Sequence, residues 1–263
     1  FSKAVQLKPE FAEAHNNLGI ALKNQGRFTE AIASFGKALQ IKPDYAEAHN
    51  SLGTALQGQG HLQEAIASYD KALQIKPDLA EVHNNRGAAL NDQGRFDEAV
   101  ASFGRALRVK PDYFEAHNNL GLALQGQDRM GESIASFSKA LLIKPDYAEA
   151  HNNLGVSLHS QGHMEEAVAS LGKALKLKPD YAEAHSNLGI ALLEQGEEAA
   201  GERLLRAAIA LDPSADLTDF YMFVEDDKLV LLFRVGKNQK IKYFAVGEKA
   251  LLDMTPPFET GGR

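Results

Sequence analysis

The sequence has 263 residues, a formal net charge of −7 at pH 7 and no cysteine. The acidic balance disfavours a general electrostatic attachment to nucleic acid or to an anionic membrane. The lack of thiols excludes disulfide scaffolds, thiol catalysis and thiolate metal sites, and no stretch approaches the roughly 18 apolar residues of a membrane span. Cysteine usage leaves the compartment open, and our working expectation is a cytoplasmic protein.

The chain is dominated by a repeat of 34 residues, seen in the returning heptad EAHNNLG and in a series of prolines. The heptads start at Glu13, Glu47, Glu81, Glu115, Glu149 and Glu183, and the prolines are Pro9, Pro43, Pro77, Pro111, Pro145, Pro179 and Pro213. A fixed period of this length predicts stacked supersecondary units. Residues 1–10 match residues 35–44, so we interpret residues 1–11 as the second helix of a truncated repeat. We expect the true N-terminus, with any export signal, to lie upstream.

Each unit is predicted to contain two antiparallel helices, as residues 12–44 illustrate. The segment AEAHNNLGIALKNQ has helical spacing of its apolar residues and is ended by Gly26. The segment FTEAIASFGKALQIK then carries an amphipathic stripe that ends before Pro43. Asp44 and Glu47 have the spacing of a capping box for the next helix.

A glycine recurs inside each first helix, beginning with Gly19, although glycine there costs about 1 kcal/mol relative to alanine. Small residues recur in the facing helix at the positions of Ala31 and Ala38, with Ser133 and Gly201 as exceptions at the first of them. These small residues predict a close approach of the two helices of each unit.

These features resemble the tetratricopeptide repeat (TPR), in the pattern His15-x-x-Leu18-Gly19-x-x-Leu22 followed by alanine, phenylalanine and proline at fixed spacing. Histidine replaces the usual tryptophan. The amino-acid sequence of the repeat is most similar to that of the superhelical arms of O-GlcNAc transferases and their bacterial relatives. The resemblance implies an all-α fold, a right-handed α-α superhelix (TPR solenoid), with six repeats in residues 12–215. In that family the first helices line a concave surface that binds partners.

Two rows of asparagines are the main candidate site, because neither lies on the leucine stripe and asparagine is a poor helix former. The second-asparagine row consists of Asn17, Ser51, Asn85, Asn119, Asn153 and Asn187, and the first-asparagine row of Asn16, Asn50, Asn84, Asn118 and Asn152, with Ser186 in the last repeat. The resemblance implies that one row is a ladder that binds the backbone of a peptide. An amide has the donors and the acceptor for this. The alternative is that one row forms hydrogen bonds between neighbouring repeats. We favour the ladder for the second row and leave both alternatives open for the first.

Other periodic residues have structural explanations that we prefer to functional ones. The histidines His15, His49, His83, His117, His151 and His185 suggest a metal ladder, but repeat stacking holds them roughly 10 Å apart, too far to share an ion. We therefore expect them to pack in place of tryptophan. The recurrent glutamates fit caps better than ligands. Arg86 stands where leucine is expected and is predicted to reach solvent or to pair with a neighbouring acid.

The rest of the candidate groove is polar and mostly neutral. Beside the asparagines lie Thr54, Ala88, Leu122, Val156 and Ile190, and further along the same helices lie Gln57, Asn91, Gln125 and His159. TPR domains that capture a C-terminal carboxylate use lysine and arginine where this chain has asparagine or glutamate, so a carboxylate clamp is not expected. We identify no catalytic constellation, cofactor site or metal site.

Residues 216–263 depart from the repeat, and we interpret them as a C-terminal cap followed by a β-hairpin, or as the start of a truncated domain. The spacing of Leu217, Phe220, Tyr221 and Val224 predicts one short capping helix. The segments KLVLLFRV and KIKYFAV, joined by a GKNQ turn, predict the hairpin. Lys228, Lys237, Lys240 and Lys242 are interpreted as protection of edge strands rather than as a binding patch.

Two functions follow. The first is a non-enzymatic scaffold that binds extended protein or peptide segments, with no nucleic acid or membrane partner. The second is the substrate-recruiting arm of a larger enzyme such as a glycosyltransferase, its catalytic domain lying beyond residue 263. The sequence leaves the identity of the partner and the oligomeric state undetermined.

Overall fold

The computed structural model describes residues 10–212 and three strands between residues 220 and 246. The helices in this part of the chain are α1 (Ala12–Asn24), α2 (Phe28–Ile41), α3 (Ala46–Gly58), α4 (Leu62–Ile75), α5 (Ala80–Asp92), α6 (Phe96–Val109), α7 (Phe114–Gly126), α8 (Met130–Ile143), α9 (Ala148–Ser160), α10 (Met164–Leu177), α11 (Ala182–Glu194) and α12 (Glu198–Leu211). They fall into two compact units, with α1–α9 in residues 1–161 and α10–α12 in residues 162–263. None of the described helices has the length and apolar character needed to cross a membrane.

The recurrent glycines allow an aromatic ring to lie against the backbone of the first helix. A Cβ atom on Gly19, Gly53, Gly87 or Gly121 would lie 2.5–2.6 Å from the nearest ring carbon of the paired helix. These rings, from Phe35, Tyr69, Phe103 and Phe137, are fully buried. The predicted close approach is therefore confirmed, and the residue that uses the space is the ring 16 positions later in the same repeat.

The two exceptions among the small residues of the second helices also support this packing. Ser133 is fully buried and donates a hydrogen bond of 2.8 Å to the Gly121 carbonyl. In the second compact unit, a Cβ atom on Gly201 would lie 2.8 Å from the Gly189 carbonyl oxygen. The backbones of α11 and α12 therefore approach too closely for alanine at this position.

The turns inside the repeats require a left-handed backbone. Gly26, Gly60 and Gly94 have φ values of 72–79°, a region that glycine adopts without steric cost. Asp128 takes the equivalent position in α7–α8 with φ 60°. The predicted helix ends at these positions are confirmed.

The capping box predicted for the first helices is wrong. Helix α3 begins after Tyr45 rather than after Asp44, and its N-cap residue makes no side-chain hydrogen bond. Instead, the Lys42 ammonium lies 5.0 Å from the centre of the Tyr45 ring, and Lys110 and Lys178 repeat this contact with Tyr113 and Tyr181 at 4.7 Å. The lysine lies three residues before the ring in each case, but it does not set the start of the helix, because α5 begins at the equivalent position after Leu79, which has no ring.

The C-terminal strands form one antiparallel sheet in the order β1 (Phe220–Glu225), β2 (Lys228–Arg234), β3 (Ile241–Val246). Phe220 pairs with Phe233, Glu225 with Lys228, Leu229 with Val246 and Arg234 with Ile241. The hairpin of β2 and β3 was predicted correctly, while its GKNQ turn lies outside the described residues.

The predicted capping helix is wrong, because Phe220, Tyr221 and Val224 belong to β1; Leu217 lies outside the described residues. The run FYMFV is rich in aromatic and β-branched residues, which favour strands. A neighbouring strand satisfies its backbone better than a helix too short to nucleate. The interpretation of Lys228 as edge protection is also wrong, since β2 is the central strand, whereas Lys242 does lie on an edge strand. Lys237 and Lys240 lie outside the described residues.

Candidate peptide-binding surface

The two asparagine rows are hydrogen-bonded to each other. The Asn85 side-chain amide donates to the Asn50 Oδ1 atom at 3.1 Å, and two further bonds of 3.0 Å join Asn119 to Asn84 and Asn153 to Asn118. Each bond links a second-row residue to the first-row residue of the preceding repeat, 35 positions earlier. The hydrogen bonds between neighbouring repeats, which the sequence left as an alternative, are thus present, and each of them uses one residue from each row.

Burial separates the two rows. In the first row, Asn16, Asn84, Asn118 and Asn152 are buried and Asn50 is partly buried. In the second row, Asn85, Asn119, Asn153, Asn187 and Ser51 are partly buried, and Asn17 is exposed. A peptide cannot reach a buried amide in this arrangement. We therefore restrict the prediction of direct peptide contact to the residues of the second row. The first row holds the second row in place.

The serine at position 51 interrupts the pattern. It stands 35 residues after Asn16, where the other bonds predict an asparagine donor. The Asn16 Oδ1 atom is buried and has no hydrogen-bond partner within the described part of the chain. A serine side chain is shorter than that of asparagine, so the inter-repeat bond is missing at this joint.

The second-row amides keep hydrogen-bonding capacity. Each amide has two N–H groups, and one of them is used in the inter-repeat bond. The Asn119 and Asn153 oxygens receive bonds from the adjacent Asn118 and Asn152 amides at 3.4 and 3.5 Å. Bonds of this length are weak, and the oxygens can therefore accept a stronger donor.

A further polar row, about two turns along the first helices, also connects neighbouring repeats. The Gln57 amide donates to the Asp92 carboxylate at 3.0 Å, and the Gln125 amide donates to the Ser157 hydroxyl at 2.7 Å. The apolar residues beside the asparagines, such as Ala88, Leu122 and Val156, are partly buried. The surface around the asparagines therefore combines neutral amides with small apolar contacts.

The histidines have a structural role, as predicted. The Nε2 atom of His83 lies 2.8 Å from the Pro77 carbonyl oxygen, and the same contact recurs at 2.8–3.0 Å for His49, His117, His151 and His185. Because a carbonyl only accepts, Nε2 carries the proton and donates. Each histidine thus fixes the turn that precedes its own helix. Among the described residues, no group of three or more histidine and acidic side chains could hold a metal ion.

The glutamate of the second repeat, Glu47, forms a side-chain contact with a lysine of the same repeat. The Lys76 ammonium donates to the Glu47 carboxylate at 2.5 Å, and both side chains are about half exposed. This hydrogen bond, the glutamate's bond to its own backbone and the charges of Lys76 and Lys42 lower the pKa of Glu47. In this repeat Leu79 replaces the tyrosine whose ring the corresponding lysine contacts elsewhere, and Lys76 instead binds Glu47 at the start of the same repeat.

Arg86 pairs with an acid, as predicted. Its Nε atom donates to the Asp70 Oδ1 atom at 2.6 Å, and only 19% of the arginine side chain is exposed. Asp70 itself stands where the neighbouring repeats have Gly36 and Gly104. The two departures from the repeat pattern therefore compensate each other. The sequence contained this signal, because both residues are irregular and lie on consecutive helices, but only the structure shows that they meet.

Sequence profiles of the tetratricopeptide repeat match residues 10–78, and TPR repeat profiles match residues 88–128, 129–162 and 157–196. Among proteins with curated descriptions, no sequence matches the chain significantly.

Solved TPR-type structures have a similar fold at low sequence identity. The APC/C hetero-tetramer Cut9–Hcn1 aligns with a TM-score of 0.73 and 20% identity, over 82% of this chain and 43% of that chain, so this chain spans less than half of the matched one. PilF of Pseudomonas aeruginosa aligns with a TM-score of 0.69 and 21% identity, over 78% and 93%. YrrB, a TPR protein with an unusual peptide-binding site, aligns with a TM-score of 0.56 and 24% identity, over 70% and 94%.

These alignments concern the fold alone, and they agree with the paired helices described above. The profiles match the sequence along most of residues 10–196. The all-α solenoid is therefore the fold of the helical region, and the chain belongs to the tetratricopeptide repeat family.

Proposed function

We propose that this chain is a non-enzymatic interaction scaffold that binds extended segments of partner proteins along the second-asparagine row. One observation carries the proposal: Asn85, Asn119 and Asn153 are each held by an inter-repeat bond of 3.0–3.1 Å while a second N–H group and the amide oxygen remain for a ligand.

Fixed amides suit an extended peptide. A peptide backbone offers donors and acceptors at regular intervals whatever its sequence, and a side-chain amide can satisfy both. Because the inter-repeat bonds already restrict the asparagine rotamers, little side-chain entropy is lost on binding. The partly buried apolar residues beside the row add contacts that do not depend on a particular peptide sequence. YrrB, which has a similar fold, is a TPR protein with a peptide-binding site, and this too supports a protein or peptide ligand.

The test compares two double variants that break the same two inter-repeat bonds from opposite sides. Asn119→Ala with Asn153→Ala removes the donors and the amides proposed to bind the peptide. Asn84→Ala with Asn118→Ala removes the two acceptors, together with the weak 3.4 Å bond from Asn118 to Asn119, and keeps the second-row amides. Peptides selected from a random library by the wild-type chain serve as fluorescent probes, and affinity is measured by anisotropy.

We expect the first variant to bind about 1–3 kcal/mol more weakly, since each lost neutral hydrogen bond contributes roughly 0.5–1.5 kcal/mol. The control should lose much less affinity, although both variants should lose a similar amount of stability. If the two variants lose the same affinity, or if the first binds normally, the second row only joins repeats and the proposal is wrong.

A further inference from the structure

A cavity lies between α4, α5 and α6, apart from the asparagine rows. The cavity has a volume of about 860 Å³. Asp70 of α4, Arg86 of α5, and Arg105 and Arg108 of α6 line it, together with His83. No residue of either asparagine row is part of the lining. A ligand in this cavity would therefore not compete directly for the second-row amides.

The cavity has more guanidinium groups than its own carboxylates neutralise. Arg86 is paired with Asp70, and Asp78 is the other acidic residue of the lining. Arg105 and Arg108 are exposed, lie one turn apart on α6, and form no ion pair within residues 10–212. Burial and the positive charges of Arg105, Arg86 and Arg108 lower the pKa of His83, against the opposing effect of the Pro77 hydrogen bond. All four residues line the same cavity.

The next repeat provides the same cavity with different chemistry. There the volume is about 540 Å³, and the lining includes Leu120, Lys139 and Leu142. These residues stand 34 positions after Arg86, Arg105 and Arg108. The cavity is thus a regular product of repeat stacking, whereas the three arginines are particular to one joint. Packing does not require them, because leucine occupies two of the three positions one repeat later.

We propose that the cavity between α4, α5 and α6, named here the arginine pocket, binds a phosphate monoester group through Arg86, Arg105 and Arg108. A guanidinium group presents parallel N–H donors that match the oxygens of phosphate. A phosphate monoester carries about −1.5 to −2 charges and three acceptor oxygens near pH 7, which suits three arginines that line one cavity better than a single carboxylate does. The volume exceeds that of the phosphate group alone, so the neighbouring residues of a phosphorylated peptide can enter with it.

The carboxylate of Asp70 has a defined part in this arrangement. It holds the mostly buried Arg86 in the absence of ligand, because an unpaired arginine at this depth would be costly. A bound phosphate would share or replace it as the partner of Arg86. Removing the Asp70 charge should therefore strengthen anion binding, while removing the arginine charges should weaken it.

The experiment measures binding of a short fluorescein-labelled peptide with a central phosphoserine among alanine and glycine residues, beside its unphosphorylated twin and inorganic phosphate as a competitor. We compare the wild type with Arg105→Gln/Arg108→Gln, with Asp70→Asn, and with a control, Lys37→Gln/Lys139→Gln. The control removes the same charge at the equivalent positions of α2 and α8. The substituted arginines and Lys139 are exposed, so the fold should be retained, and circular dichroism checks this.

We expect saturable binding of the phosphopeptide, a loss of at least about tenfold in the arginine variant, tighter binding in Asp70→Asn, and little change in the control. Tighter binding of the phosphopeptide than of inorganic phosphate identifies a phosphorylated protein as the source of the group, and equal binding identifies free phosphate. Absence of saturable binding of both probes overturns the proposal, as does an arginine variant that binds like the lysine control. The Asn119/Asn153 variant should bind the phosphopeptide normally, which separates this test from that of the proposed function.

Discussion

The substitution Ser51→Asn should complete the asparagine bonding between the first two described repeats. The Asn16 Oδ1 atom is buried without a partner, and three equivalent joints show an asparagine donor at 3.0–3.1 Å. Serine and asparagine have similar helix propensities, so the helix itself should be little affected. The substitution therefore isolates the formation of one hydrogen bond.

The expected gain in the free energy of unfolding is about 1 kcal/mol. A neutral hydrogen bond contributes roughly 0.5–1.5 kcal/mol net, and an unsatisfied buried acceptor costs about 1–3 kcal/mol, so relief of the Asn16 oxygen places the gain toward the upper part of the first range. Ordering the longer side chain offsets part of it, because asparagine loses more rotamer freedom than serine.

Native-state hydrogen exchange is the suitable assay, because repeat arrays need not unfold as one cooperative unit. Amide protection in α1 and α3 should rise about fivefold, the factor that corresponds to 1 kcal/mol. The variant Asn16→Ala is the control: combined with Ser51→Asn, it should abolish the gain. A gain that persists without Asn16, or no gain in the single variant, would refute the assignment of a missing inter-repeat bond.

Two further predictions concern stability. Gly87→Ala should lower the free energy of unfolding by about 1–3 kcal/mol, because its Cβ atom would lie 2.6 Å from the fully buried Phe103 ring. Gly104→Ala is the matched control, since a Cβ atom there would meet no atom within 4 Å. It should raise the free energy of unfolding by about 0.5–1 kcal/mol. If urea denaturation gives the two variants the same stability, the packing explanation is contradicted. Burial and nearby arginines lower the pKa of His83 in the folded chain. The unfolded chain therefore binds the proton more readily, and the free energy of unfolding should fall as the pH drops from about 6.5, the ordinary histidine pKa, through the lowered pKa of the folded state. His83→Gln should flatten this pH dependence of the urea midpoint, and an unchanged slope would show that other groups cause it.

The helix pairs could be predicted because they depend on local patterns that are visible in the sequence. The 34-residue period, the positive-φ turn at Gly26 and the stop before Pro43 are properties of short segments, and the structure reproduces them. The failed predictions involve competition between local rules. Asp44 has good capping chemistry, but α3 begins one residue later, after Tyr45, and α5 begins at the equivalent place, after Leu79.

The asparagine rows show where sequence reasoning stops. A spacing of 35 residues between a second-row donor and a first-row acceptor is visible in the sequence, but whether the two meet depends on the angle between consecutive repeats. The bond from Asn119 to Asn84 could therefore be found only in the structure. Contact of the second row with a peptide remains a prediction, as does the similarity of the chain to a transferase arm.

The contacts within repeats and those between repeats have different consequences for how this array could have evolved by duplication. Each glycine and its ring belong to one repeat, so a duplicated copy brings both partners with it. The asparagine bonds are the same at several joints, so most duplicated repeats could form them with one another in any order. The Asp70–Arg86 pair also joins consecutive repeats, but within the described residues it occurs at one joint only. Exchanging the repeat that contains Asp70 for a copy of the preceding one would set Arg86 opposite the counterpart of Gly36 and leave its charge mostly buried and unpaired. At this joint the order of the repeats is fixed by a single ion pair.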